Sequence, residues 1–81
     1  MEIKQLRHFL AVYETKSYWR AAESFGLTPQ ALSKSIRRLE DALGVRLFDR
    51  DTRSVRPTLF GEEIAAFARN IDAESTSMRR R

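Results

Sequence analysis

The run Thr28-Pro29-Gln30 constrains this chain more than any other stretch. A threonine hydroxyl can accept from the free N–H groups of a first helical turn. A proline directly after it has its φ preset for the helix and lacks only an N–H that the first turn leaves unbonded. Behind this start, Leu32, Ile36, Leu39 and Leu43 recur every three or four residues, one narrow apolar stripe on a helix ending near Gly44. The same wheel puts Gln30, Lys34, Arg37 and Asp41 on the opposite side, flanked by Ser33 and Arg38. Upstream, Ser17 reads as the N-cap of a short helix over about 18–25, and Gly26 as its left-handed stop. Ala21 and Ala22 are small enough for the two helices to cross closely, with Leu27 expected to pack beneath the turn. A short helix, a tight glycine-containing turn and a second helix make a helix-turn-helix.

The rest of the chain frames this unit. Ile3, Leu6, Leu10 and Tyr13, with Phe9 beside them, predict a first helix over about 3–14. After Gly44 the pattern changes. Apolar Leu47 and Phe48 precede a polar tip of Arg50, Asp51, Thr52, Arg53 and Ser54, and Val55, Arg56 and Pro57 follow, which reads as two short strands around a charged turn. Thr58 is a second good N-cap, and helix is expected from Leu59 to the end. The expected fold is mainly α: three helices plus a two-stranded wing over residues 1–58, followed by a long linker helix over 59–81.

Composition narrows the function classes. With 81 residues and no cysteine, the chain has one small core and no disulfide staple, thiolate metal site or thiol nucleophile. Apolar runs such as Phe9 to Tyr13 are far shorter than the ~20 residues a membrane-spanning helix needs, and the charged N-terminus does not resemble a secretory signal, so a cytoplasmic, nucleoid-associated location is expected. His8 is the lone histidine and has neither a metal cluster nor a catalytic partner, so it reads as structural. Glu62 and Glu63 are adjacent on a helix and diverge; they suit the positive end of its dipole. Trp19 is expected in the core. No nucleophile–base set, metal site or phosphate loop is present, so neither an enzyme nor a cofactor is expected.

The formal net charge is +4, and its distribution matters more than its size. Residues 28–58 carry seven basic and four acidic side chains, whereas 59–81 carry four of each. A basic block on a small domain suits a polyanion. Gln30, Ser33, Lys34 and Arg37 are donors to phosphates and base edges, and the helix N-terminus adds free N–H groups. These features point to duplex DNA, with the helix over about 28–43 in the major groove and an arginine of the wing, about 49–55, in the minor groove. Asp41 lies two turns further along and is tolerated if the helix enters by its N-terminal end. A protein-interaction module is the rival reading, and it would more often show exposed apolar anchors on that face.

Several motifs together carry a family resemblance. Arg20-Ala21-Ala22, then Ala31-Leu32-Ser33-Lys34-Ser35-Ile36-Arg37-Arg38-Leu39-Glu40, Leu43-Gly44, Leu47-Phe48-x-Arg50, Arg53 and Thr58-x-x-Gly61 resemble, in order and spacing, the N-terminal domain of LysR-type transcriptional regulators. The resemblance implies a bacterial winged helix-turn-helix that binds DNA as a dimer, joined to a C-terminal effector domain. That effector domain is absent from these 81 residues, so an excised fragment or a naturally short relative is expected. By the same resemblance Thr28 and Pro29 start the recognition helix, Ser33 and Lys34 reach bases or phosphates, Arg37 is a further basic contact, and Arg50 and Arg53 serve the wing. The chain departs from the family pattern at three places. Pro29-Gln30 stands where members commonly read Gln-Pro, which moves the glutamine about 100° around the helix. Lys16 stands where glycine is common, and Pro57 where an aliphatic residue is frequent.

In the last helix, Phe60, Ile64, Phe67, Ile71, Glu74 and Met78 alternate spacings of four and three, a coiled-coil-like seam interrupted by Glu74. At ~1.5 Å per residue this helix would be about 34 Å long, too long to be covered on all sides by so small a domain. With the resemblance, the seam predicts a homodimer through Phe60, Ile64, Phe67, Ile71 and Met78. Its two recognition helices would then meet the half-sites of an inverted repeat.

Overall fold

The computed structural model describes residues 2–50 and 53–79, with side chains as far as residue 70. Among the described residues the helices are α1 (Ile3–Thr15), α2 (Tyr18–Phe25), α3 (Pro29–Leu43) and α4 (Leu59–Arg79). The start signals act as the sequence suggests. Ser17 Oγ accepts from the Arg20 N–H at 3.1 Å, and Thr28 Oγ1 accepts from the Ala31 N–H at 3.1 Å. Gly26, at φ 66°, closes α2, and the Leu27 N–H turns back to the Ala22 carbonyl at 3.0 Å. α1 ends in the same left-handed geometry without a glycine: Lys16 sits at φ 56° and donates its N–H to Val12 at 2.8 Å. The family's usual glycine before the α2 cap therefore falls where the backbone turns left-handed.

The three-helix core is built by Phe9 and Val12 of α1, Ala21 and Ala22 of α2, and Leu32, Ile36 and Leu39 of α3, closed below by Leu47 and Phe48. Two apolar residues expected to pack inward, Trp19 and Leu27, lie outside it. Trp19 is 62% exposed, because α2 has eight residues and one buried face; position 19 lies about 100° around from Tyr18 and about 160° from Ala21. Leu27 stays exposed on the turn, and Ile3 overhangs the first turn of α1.

The wing also differs in detail. Among the described residues it closes through an isolated antiparallel bridge, Phe48–Pro57, extended by the Asp49 N–H donating to the Arg56 carbonyl at 2.8 Å. Phe48 and Pro57 face each other between hydrogen bonds, where no N–H of residue 57 is needed, and the Leu47 N–H that would continue the ladder goes to Glu40 Oε2 at 2.7 Å instead. Asp51 and Thr52 of the tip lie outside the described residues.

α4 is fastened to this base. The Thr58 N–H donates to the Leu47 carbonyl at 2.9 Å, the Thr58 hydroxyl donates to the Arg46 carbonyl at 2.6 Å, and the Gly61 N–H donates to Thr58 Oγ1 at 3.0 Å. Ala65 and Ala68 are buried, and α4 packs along α1. The Tyr13 hydroxyl donates to Glu62, so that glutamate also ties α4 to α1. The exposed pair Arg69–Glu14, at 3.5 Å, adds little in water.

Candidate nucleic-acid interface

Leu32, Ile36 and Leu39 of the α3 stripe are fully covered and Leu43 partly so, which orients the rest of the helix. Thr28, Gln30, Lys34 and Arg37 are exposed, and Pro29 and Ser33 half-buried. Pro29, Gln30, Ser33, Lys34 and Arg37 line, with Tyr18 of α2, an open depression of about 580 Å³. Among the described residues neither Lys34 nor Arg37 forms an ion pair, so both charges are directed to solvent. Thr28 uses its oxygen as the cap acceptor.

The wing arginines divide. Arg53 is exposed. Arg50 is half-buried: one guanidinium nitrogen donates to Glu40 and another to the Tyr18 hydroxyl at 3.3 Å. Burial works against the Arg50 charge, but the hydrogen bond and charge of Glu40, with Tyr18 beside it, outweigh that and raise its pKa. Burial likewise pushes the Tyr18 hydroxyl up, partly offset by Arg50. Arg50, expected beside Arg53 as a wing contact, is thus engaged inside the protein.

Glu40 is the residue that sequence reasoning missed. It is buried, and its Oε2 accepts the Leu47 N–H at 2.7 Å and the Phe48 N–H at 3.3 Å, while Oε1 faces Arg50. The available signal was its place four residues after Ile36 and three before Leu43, on the edge of the apolar stripe. His8 is buried too. Its Nδ1 shares a 2.7 Å hydrogen bond with Ser35 Oγ, and its ring meets Phe25 edge-on at 4.7 Å. Burial, and then the positive charge of Lys4, lower its pKa. His8 and Ser35 therefore pin α3 to α1 from behind its exposed face.

On α4, Phe60 and Phe67 are 50% and 55% exposed, and Leu59 is 75% exposed. Ile64 is partly buried against its own core. The side chains of Ile71 and Met78 lie outside the described residues, as do Arg80 and Arg81.

A tight turn carrying a helix with a donor-rich outer face, and a basic loop beside it, define a winged helix-turn-helix protein. The chain belongs to the lysR family of bacterial regulatory helix-turn-helix proteins, whose model matches residues 3–62. The HTH-type transcriptional regulator IlvR of Caulobacter vibrioides is 51% identical over 63 residues, which are 78% of this chain and 21% of IlvR. This chain therefore spans about a fifth of the length of that relative. Among solved structures, the BenM_DBD/catB site 1 DNA complex superposes with a TM-score of 0.90 at 33% identity, covering 96% of this chain and 84% of that one. Vibrio fischeri DarR in complex with DNA gives 0.85 at 32% identity, covering 95% of this chain and 26% of DarR. Relatives of this kind carry the names of transcriptional regulators and not of enzymes.

Proposed function

We propose that this chain binds double-stranded DNA sequence-specifically and so regulates bacterial transcription. Residues 1–58 read the DNA, with α3 in the major groove and the wing at the minor groove. Residues 59–81 pair two copies on an inverted-repeat operator. The observation that carries the reading is the state of α3. Leu32, Ile36 and Leu39 are sealed on one side, while Gln30, Lys34 and Arg37 stand unpaired and exposed on the other, with Ser33 half-buried between them. A helix held that firmly from behind can enter a groove without losing rotational order of its own. Gln30, Ser33 and Lys34 read base edges, each good contact contributing roughly 1–3 kcal/mol of discrimination. Arg37 neutralises phosphate, and Arg53 enters the minor groove at A·T-rich flanks. BenM_DBD and DarR were both solved with DNA, and both share this backbone. Exposed Phe60 and Phe67 supply the apolar surface for pairing.

The test is a titration against duplexes recovered from a random-sequence pool and against scrambled versions of them, at two salt concentrations. The recovered sites should contain an inverted repeat and bind more tightly than the scrambled ones, and both affinities should fall as salt rises. Equal affinity for recovered and scrambled duplexes would remove base reading. Absence of any salt-dependent binding would overturn the DNA assignment itself.

A further inference from the structure

We infer that Arg50 is a positioning residue that aims the wing through Glu40 of the recognition helix, and that it makes no contact of its own with DNA. The inference rests on the minor-groove reading of the wing given above.

A single buried carboxylate gathers three parts of the fold. Glu40 belongs to the C-terminal half of α3. Its Oε2 takes the backbone N–H groups of Leu47 and Phe48 at 2.7 and 3.3 Å, the residues that lead into the wing. Its Oε1 takes the guanidinium of Arg50. Arg50 then reaches the Tyr18 hydroxyl on α2 at 3.3 Å. The side chains of Glu40 and Arg50 are only 8% and 24% exposed. For Arg50 to swing out to a phosphate it would have to leave Glu40 buried beside neutral amides, with no cation to balance it. An uncompensated buried charge is costlier than an exposed phosphate contact is favourable. Arg53, three residues on, is exposed. The two arginines therefore do different work: Arg50 fixes the direction in which the wing leaves the domain, and Arg53 uses that direction.

The test uses the whole 81-residue chain and its recovered duplex, prepared with A·T-rich or G·C-rich flanks, with thermal melts confirming that each variant is folded. Arg50→Gln and Glu40→Gln should each weaken the A·T-flanked duplex by about tenfold while changing the G·C-flanked one by less than about threefold, the loss expected when a minor-groove arginine is misplaced. In an Arg53→Ala background, Arg50→Gln should add less than about twofold and leave the slope of log affinity against log salt unchanged, because it removes no further phosphate contact. Arg50→Lys guards against misfolding of the glutamine variant. Lysine still reaches a phosphate but cannot span Glu40 and Tyr18 together, so it should lose the flank preference as well. The inference is overturned if the Arg50 and Arg53 losses multiply, with the salt slope falling by about one further unit. It is equally overturned if Arg50→Lys matches the wild type, or if Glu40→Gln binds as tightly as the wild type or more so. A wild-type chain indifferent to its flanks overturns the minor-groove reading, and the inference with it.

Discussion

Replacing Gly61 by alanine puts helix propensity against packing. Gly61 lies in α4, where alanine is the better helix former by about 1 kcal/mol, so propensity alone predicts a more stable protein. The structure predicts the reverse. A Cβ at this position would lie 2.2 Å from the Leu47 carbonyl oxygen and 3.2 Å from both the Leu47 carbonyl carbon and Pro57 Cβ. The oxygen belongs to the backbone and cannot step aside. It accepts the Thr58 N–H at 2.9 Å, and the N–H of the same residue is held by Glu40 at 2.7 Å. α4 would have to move out by about 1 Å to restore ordinary contact. Overpacking of this kind costs about 1–3 kcal/mol. Loss of the Thr58–Leu47 hydrogen bond adds about 1 kcal/mol. Set against the propensity gain, Gly61→Ala should destabilise the chain by about 1–3 kcal/mol. For a domain of this size that lowers the melting temperature by roughly 5–20 °C. Thermal and urea melts followed by far-ultraviolet circular dichroism would measure it, at one fixed protein concentration because the proposed pairing would add to apparent stability. A Gly61→Ala variant as stable as the wild type, or more stable, would refute the close approach of α4 to Leu47.

Other consequences follow from particular residues. Lys16→Gly should stabilise the chain by about 0.5 kcal/mol, since a lysine at φ 56° is strained, although losing its ammonium group 4.0 Å from the Tyr13 ring offsets part of the gain; a lower urea midpoint would contradict this. The depressed pKa of buried His8 means that the unfolded chain binds the proton more tightly than the folded one. Stability should therefore fall as the pH drops below the ordinary histidine value of 6.5, and because His8 is the single histidine, His8→Asn should flatten melting temperature against pH between about 7.5 and 5.5. Phe67→Glu should shift sedimentation equilibrium towards the monomer while leaving the helical circular dichroism signal in place; an unchanged dimer would clear Phe67 from the seam.

The sequence was most readable where signals were local. α3 is marked at both ends, by Thr28-Pro29 and by Gly44, and its stripe is unbroken, so its span and its outward side chains follow from the wheel. What depends on distant partners was not readable. Glu40 looks like one more charge among Arg37, Arg38 and Asp41 until the chain from Leu47 to Arg50 folds back onto it. Arg50 counts as a free cation for the same reason: a sequence shows a charge but not the carboxylate that holds it. Trp19 is apolar enough to suggest a core position, yet an eight-residue helix whose buried face is two alanines has no place for it. On α4, spacings of three and four fit packing on the chain's own α1 as well as packing on a partner, and Ile64, one of the seam residues expected from the spacing, is partly buried against the chain's own core.

A chain without cysteine, whose wing closes through an isolated bridge among the described residues, still needs something to fix that wing. The hydrogen bonds converge on Leu47, whose N–H is taken from one side by Glu40 of α3 and whose carbonyl is taken from the other by Thr58 at the start of α4. Both groups are buried, so releasing either leaves a polar atom without water or partner, at about 1–3 kcal/mol each. Neither helix can shift against Leu47 without breaking one of these bonds, and neither can tilt without carrying the root of the wing along. The close fit of Gly61 then follows: a side chain there would separate α4 from the same residue that Glu40 anchors, so the smallest residue in α4 stands where α3, the wing and α4 meet.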